Sequence, residues 1–191
     1  MKRSYIIMGV IALLAIILFF AYRGTYNTAI SLQEGVEQTW GDVQSSYQRR
    51  ADLVPQLVET VKGAAANEKE ILTKVTQARA GIVGINDEIL NANSPEQMEL
   101  LGKKINTAIN LAYEAYPQIR STENFGALQA QLEGTENRIN KARNDYNESV
   151  KNYNTHIRGF FNSMLLNKET FPKKEPFKAA AGSEVAPKVQ F

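Results

Sequence analysis

The chain has 191 residues, with 22 lysines and arginines against 20 aspartates and glutamates, one histidine, no cysteine and one tryptophan. The lack of cysteine excludes disulfides, thiolate metal sites and a cysteine nucleophile, and a single histidine excludes multi-histidine zinc sites and paired di-iron motifs. A formal net charge of +2 argues against a nucleic-acid footprint over the whole chain.

The first element is an apolar run from Ile6 to Tyr22 that contains no charged residue. At 1.5 Å per residue its 17 residues span about 26 Å, close to the roughly 30 Å core of a bilayer. A cleaved signal peptide is the competing interpretation. Signal peptides have a shorter apolar region that is followed by a small-x-small cleavage site, whereas this run is longer and no such site follows it. We therefore predict a transmembrane helix over residues 5–22, after a cytoplasmic N-terminus of residues 1–4.

The flanking charges indicate how this helix is oriented. Lys2 and Arg3 precede the run, whereas only Arg23 follows it before Arg49. By the positive-inside rule, the N-terminus lies in the cytoplasm and the remainder lies in the periplasm or outside the cell.

Heptad-like spacing then predicts four helices, the first from Tyr26 to Val61 and the second from Glu68 to Leu90. Ser94 and Pro95 begin the third as a cap and first-turn proline, with Gln97 completing a variant capping box, and Pro117 ends it. The fourth runs for about 40 residues between Ser121 and Phe161. No strand-like alternation appears.

Short connections favour antiparallel neighbours. The predicted fold is all-α: a transmembrane helix followed by an up-down-up-down four-helix bundle over residues 23–166, with two long and two shorter helices. Residues 167–191 form a tail that contains proline and lysine. Two alternatives remain for this tail: it is disordered, or its phenylalanines dock on a neighbour.

Arg50 occupies a seam position of the first long helix, where an unpaired charge is costly. Counting equal heights along two antiparallel helices places Arg50 near Gly134, so Glu133 or Glu136 is the expected partner. The alternative is that Arg49 and Arg50 both extend to solvent. The predicted structural polar network comprises Arg49, Arg50, Asp52, Glu133, Glu136, Asn137 and Arg138.

The same counting brings two other groups near the membrane. Tyr26 and Asn27 fall close in height to Tyr153 and Asn154, and we expect polar layers between helices there. Phe160, Phe161, Leu165 and Leu166 then either enter the bilayer interface or fold onto the base of the bundle. His156 is expected to be a surface or interhelical residue.

A joint set of motifs resembles the LemA family. The first runs from Gln38, Thr39 and Trp40 through Arg49, Arg50 and Pro55 to Gly63; the second runs from Glu123 through Leu132, Glu133, Gly134 and Asn137 to Tyr153 and Asn154. The resemblance implies a bacterial single-pass membrane protein with an antiparallel helical domain. It also implies a helper or scaffold role, because genes of the family often lie beside those of membrane-bound metalloproteases or other envelope proteins.

No nucleophile elbow, phosphate loop or dinucleotide fingerprint is present. The sequence therefore predicts no catalytic, metal or cofactor site, and a non-enzymatic scaffold of the cytoplasmic membrane. The expected partners are the lipid bilayer and further copies of the chain, with no nucleic acid. The alternative function is an adaptor or regulatory partner of a membrane-bound envelope protease.

Overall fold

The computed structural model describes residues 2–64, 69–115 and 123–178. In these residues the chain forms six α-helices and no β-strand, which confirms the all-α fold class. The helices are α1 (Lys2–Ala64), α2 (Lys69–Ala80), α3 (Ile85–Asn91), α4 (Pro95–Ala115), α5 (Glu123–Arg158) and α6 (Phe160–Leu165). The second half of the tail, residues 179–191, lies outside the described residues, as do Pro117 and the connection between the first two helices at residues 65–68.

The apolar run and the folded region share one helix. α1 is 63 residues long and contains both the run that ends at Tyr22 and the buried seam that begins further along. Residues 3–24 are all exposed, and burial begins at Thr25 and becomes complete at Ala29. Among the described residues, α1 is the one helix that is long and apolar enough to cross a membrane.

The prediction of a single second helix over Glu68–Leu90 is wrong. The chain instead forms α2 and α3, separated by a turn at residues 81–84. Gly84 has a φ of +76°, in the left-handed region that a side chain disfavours. The two glycines of this turn therefore end one helix and begin another. Both short helices pack against α4.

The start of α4 is as predicted. The backbone N–H of Gln97 donates to Ser94 Oγ at 3.3 Å, and Gln97 Oε1 accepts from the backbone N–H of Asn93 at 2.9 Å. These bonds satisfy donors that the first turn of a helix leaves free, and they confirm the cap.

The prediction that the fourth helix continues to Phe161 is wrong. Gly159 takes an extended ψ of 144°, which separates α5 from α6. The Asn162 side chain donates to the carbonyl oxygen of His156 at 2.9 Å, and this oxygen also accepts from the backbone N–H of Gly159 at 3.2 Å, so the last turn of α5 is capped. The break thus combines a flexible residue with a side chain that caps the helix.

The chain divides into two compact units, and α1 and α5 contribute to both. Among the described residues, the first unit comprises α1 up to Trp40 together with Asp145–Lys174, and the second comprises Gly41–Asn144 together with the residues from Glu175 onwards. In the first unit the buried side chains include Ala29, Val36, Val150, Tyr153 and Phe171; in the second they include Val43, Tyr47, Leu57, Met98 and Ile105.

Candidate functional site

The second unit contains a charged cluster centred on Arg50. Its side chain is only 12% exposed, and Nη1 lies 2.9 Å from Glu136 Oε2. Nη1 also donates to the Leu132 carbonyl at 3.0 Å, and Nε donates to Asn106 Oδ1 at 3.0 Å. The guanidinium therefore joins α1, α4 and α5, and its charge is compensated within the protein.

The structure brings together only part of the set named from the sequence. Glu133 accepts a hydrogen bond from Gln129 on its own helix, and Asp52 Oδ1 accepts one from Asn86 at 3.0 Å. In the described part of the chain, no hydrogen bond or ion pair joins Arg49, Asn137 or Arg138 to the Arg50 cluster. Arg49, Asp52 and Arg138 instead line an open groove of about 600 Å³ together with Thr135.

Tyr47 is a buried neighbour of this cluster that the sequence did not single out as functional. Burial raises the pKa of the Tyr47 hydroxyl, while the nearby Arg143 guanidinium acts in the opposite direction. A Cβ placed on Gly102 would lie 2.8 Å from the Tyr47 ring. A side chain at position 102 would thus overlap the ring, so α4 approaches this tyrosine closely because it has a glycine here.

A second ion pair holds the other end of this unit. Arg143 Nη2 lies 2.9 Å from Glu99 Oε1, which links α5 to α4. The same guanidinium lies 4.6 Å from the centre of the Phe177 ring, within the range of a cation–π contact. Phe177 is buried, so this part of the predicted tail is packed against the helices.

In the first unit, neutral side chains of α5 hold the segment that follows α6. The Tyr153 hydroxyl donates to the Pro172 carbonyl at 3.0 Å. The Asn154 amide bonds the backbone of Lys174 twice: Nδ2 donates to the carbonyl at 2.8 Å, and Oδ1 accepts from the N–H at 3.1 Å. Burial raises the pKa of the Tyr153 hydroxyl, and the Glu37 carboxylate adds to this effect.

Tyr26 and Asn27 are placed differently from the expected polar layer. The Tyr26 ring packs edge-on against Phe171, with centroids 5.3 Å apart, and Asn27 is exposed. Tyr153 and Asn154 bond the chain after α6, as described above, so the tyrosines and asparagines do not form a layer between two helices.

A polar cluster of Thr25, His156 and Asn162 lies just beyond the apolar run. His156 Nε2 lies 3.1 Å from the Thr25 carbonyl, and Asn162 Nδ2 lies 3.3 Å from His156 Nδ1. Because a carbonyl oxygen only accepts, Nε2 carries the proton and Nδ1 accepts from Asn162. Thr25 Oγ1 also donates to Asn162 Oδ1 at 3.4 Å. The single histidine is therefore an interhelical residue.

The apolar residues that follow α5 separate into two groups. Phe160, Phe161 and Met164 are each 75% exposed, and Leu165 is 37% exposed. Leu166, in contrast, is buried and lines a cavity of about 400 Å³ with Phe171. The apolar side chains of α6 are thus exposed, whereas that of the next residue, Leu166, is buried.

A family model described as the LemA family matches residues 39–191. The chain belongs to the LemA family. A curated relative named Protein LemA, from Metamycoplasma hominis, is 22% identical over 152 residues, which cover 80% of this chain and 68% of that protein. The match to the LemA model includes the Arg50 cluster and the Tyr153 and Asn154 contacts, whereas the apolar run lies before its first residue.

Sequence reasoning missed two sets of residues in this LemA-family chain. Asn106 and Thr135 accept hydrogen bonds from Arg50. The sequence signal that could have identified them is that each is a polar residue facing an arginine at a seam position. Pro172 and Lys174 contact α5 through backbone atoms, for which residue type gives little indication. In the residues that the structure describes, no group of three or more histidine, aspartate or glutamate side chains is arranged to hold a metal ion.

Proposed function

We propose that this protein is a non-enzymatic, membrane-anchored scaffold of the bacterial envelope that binds protein partners and assembles with copies of itself. The observation that carries this proposal is the continuity of α1, in which exposed apolar residues pass into a buried seam without a break. A helix that spans a bilayer and also forms part of the folded core presents that core at a fixed distance from the membrane. This is the property that a scaffold needs.

We further propose an antiparallel four-helix bundle in which α2 and α3 together serve as the second helix. The contacts of Arg50 with α4 and α5 support this arrangement, as does the donation from Gln44 Nε2 on α1 to the carbonyls of Ile89 and Leu90 at 3.0 Å. Short turns between α2, α3 and α4 favour antiparallel neighbours in such a bundle.

The proposed lack of catalysis rests on how the polar side chains are used. Arg50, Glu136, Arg143 and Glu99 engage one another or the backbone of neighbouring helices. His156 has both ring nitrogens engaged in contacts with α1 and α6. Groups with such contacts are typical of structural networks, since a general base needs a free position for its substrate.

Site-specific photocrosslinking in cells tests the scaffold proposal. Leu90 and Leu100 are 58% and 59% exposed, and we would replace each in turn with a photoreactive residue in the full chain. The exposed polar Asn140 on α5 serves as the matched control position. We expect crosslinked products at twice the mass of the chain from at least one of the two leucines, together with dimers in native mass spectrometry in detergent. Monomers alone, with no crosslinked partner, would refute the proposal.

The role of adaptor for an envelope protease is an outcome of the same experiment. Crosslinked bands would be identified by peptide mass spectrometry. A crosslink between this chain and a membrane protease would make the adaptor role, rather than self-assembly, the leading function. Deletion of the gene would then be expected to slow turnover of the substrates of that protease, and unchanged turnover would remove this alternative.

We also propose that the N-terminus is cytoplasmic, that the anchor lies in the cytoplasmic membrane and that the helical region is on the far side. Lys2 and Arg3 before the run support this orientation. The chain has no cysteine, so an Asn140→Cys variant carries a single thiol. We expect a membrane-impermeant thiol reagent to label this cysteine in intact cells, with the outer membrane permeabilised where one is present. Labelling only after lysis would reverse the orientation.

A further inference from the structure

The first unit holds α6 at a defined position relative to the end of the apolar run. Thr25 contacts His156 through its carbonyl and Asn162 through its hydroxyl. It lies three residues beyond Tyr22, a distance of about 4.5 Å along the helix axis. When the run crosses a bilayer, the polar cluster and α6 therefore lie at the depth of the lipid headgroups.

α6 exposes large apolar side chains at this depth. Phe160, Phe161 and Met164 are each 75% exposed, and the two phenylalanine rings contact edge to face with centroids 5.2 Å apart. Three neighbouring apolar residues on a helix of six are unfavourable in water, whereas aromatic side chains are enriched at membrane interfaces. The exposed face of α6 is thus suited to the boundary between headgroups and acyl chains.

A mostly apolar cavity with three basic residues among those that line it lies beside α6. It has a volume of about 400 Å³, and Ile157, Leu166 and Phe171 contribute its apolar lining. Its charged lining consists of Arg158, Lys168 and Lys173, and no carboxylate is among the described residues that line it. This volume is near the lower end for ligand sites, about 300–1,000 Å³, and so suits a polar headgroup better than a whole lipid.

We propose that α6 and this cavity form a lipid site, in which Phe160, Phe161 and Met164 enter the bilayer interface and Arg158 and Lys168 hold the headgroup of an anionic phospholipid. The charge of the cavity complements a phosphodiester, and the adjacent apolar face accounts for the acyl end of the same molecule. This site does not require self-assembly or a protease partner, so it stands or fails separately from the scaffold proposal.

Insertion of α6 is tested with brominated lipids, which quench a tryptophan that reaches the bilayer. The full chain carrying Phe161→Trp would be reconstituted in nanodiscs of neutral brominated phosphatidylcholine. Trp40 is the chain's single tryptophan and lies 15 residues beyond Thr25, about 22 Å along the axis, so the unsubstituted protein is an internal control. We expect quenching in the variant alone. Equal fluorescence of the variant in brominated and unbrominated nanodiscs would overturn the insertion.

Headgroup selection is tested by native mass spectrometry of the full chain in detergent with added phosphatidylglycerol or phosphatidylcholine. We expect phosphatidylglycerol adducts to dominate, and an Arg158→Gln, Lys168→Gln variant to lose about fivefold of this preference for each cation removed. The matched control is Lys103→Gln, Lys151→Gln, which changes the net charge equally at exposed lysines outside the cavity.

Three outcomes would overturn the headgroup assignment. These are equal retention of the two lipids by the unsubstituted chain, equal loss of preference in the control variant, and complete displacement of phosphatidylglycerol by excess inorganic phosphate, which would show that the cavity binds a free anion. Circular dichroism of each variant verifies folding, which we expect to be intact because the side chains of Tyr153, Asn154, His156 and Asn162 make the hydrogen bonds of this unit.

Discussion

The two units of the molecule use polar side chains in different ways. The second unit joins regular helices through ions: Arg50 with Glu136, Arg143 with Glu99, and Lys104 with Glu88 at 2.6 Å. The first unit uses the neutral side chains of Tyr153, Asn154, His156 and Asn162, most of which bond backbone atoms. The difference arises because the backbone polar groups that need hydrogen-bond partners differ between the two units.

Helices satisfy their own backbone, so contacts between them are free to be side chain to side chain. The segment from Leu166 to Lys178 has no regular structure beyond its turns, and its backbone polar groups need partners from elsewhere. Amides and hydroxyls provide those partners because they can donate to carbonyl oxygens, and an amide oxygen can also accept from a backbone N–H. We therefore expect the second unit to depend on charge and the first on hydrogen-bond geometry.

Removal of the Arg50 side chain is expected to have the largest effect on stability. Arg50→Met leaves Asn106 Oδ1 without its guanidinium donor and Glu136 without its cation, and removes one of the donors to the Leu132 carbonyl, which keeps the bond from the Thr135 hydroxyl. The expected loss is about 2–4 kcal/mol, below the full value for a buried pair because Glu136 is 46% exposed. Thermal unfolding of the full chain in mild detergent, followed by circular dichroism, measures it.

Arg49→Met is the matched control for this prediction, because Arg49 is the preceding residue of the same helix and is exposed. Its effect is expected to stay within about 0.5 kcal/mol. Equal destabilisation by the two substitutions would mean that the cluster around Arg50 contributes nothing specific, and the charge-based half of the comparison would be lost.

Close packing in the second unit is tested by Gly102→Ala. The added methyl group would lie 2.8 Å from Cε1 of the buried Tyr47 ring, so the ring or α4 must move. Overpacking of this kind costs about 1–3 kcal/mol. Gly134→Ala meets nothing within 4 Å in the middle of α5, and we expect it to stabilise the helix by about 0.5–1 kcal/mol. The same sign for both variants in thermal unfolding would refute the close approach.

The sequence predicted well those features that depend on local pattern. Ser94, Pro95 and Gln97 define the start of α4 within four residues, and the seam spacing placed Arg50 opposite the stretch that contains Glu136. It failed where a backbone conformation or a distant contact decides the outcome. Gly84 and Gly159 are compatible with a helix until a turn or a cap from Asn162 favours another conformation. The docking of residues 166–178 depends on bonds between residues about 20 positions apart, which no periodicity records.

Loss of the Asn154 amide tests the first unit. Asn154→Ala removes both bonds to the backbone of Lys174, and we expect a cost of about 1–2 kcal/mol. Asn152→Ala, two residues earlier and exposed, is the control and is expected to be near neutral. Salt distinguishes the two units: in about 1 M salt the screening length falls to roughly 3 Å, so the part of the Arg50→Met effect that depends on the 46%-exposed Glu136 carboxylate should shrink, whereas the Asn154→Ala effect should not change. A parallel response of both variants to salt would remove the distinction between the units.

Alkaline pH should weaken both units, and its effect is expected to be the smallest of those predicted. Burial raises the pKa of Tyr47 and of Tyr153 above the ordinary tyrosine value of 10.0. The folded state therefore holds these protons more tightly than the unfolded state, so their contribution is fully present below pH 10 and is lost as the pH rises through the folded pKa. Tyr153→Phe should cost about 1 kcal/mol at neutral pH, since the bond to the Pro172 carbonyl is lost, and should make the alkaline decline in melting temperature shallower. Tyr47→Phe should make that decline shallower as well, because the raised pKa of Tyr47 arises mainly from burial. If the melting temperature of the Tyr47→Phe, Tyr153→Phe double variant declined as steeply with rising pH as that of the unsubstituted chain, alkaline unfolding would be due to other groups.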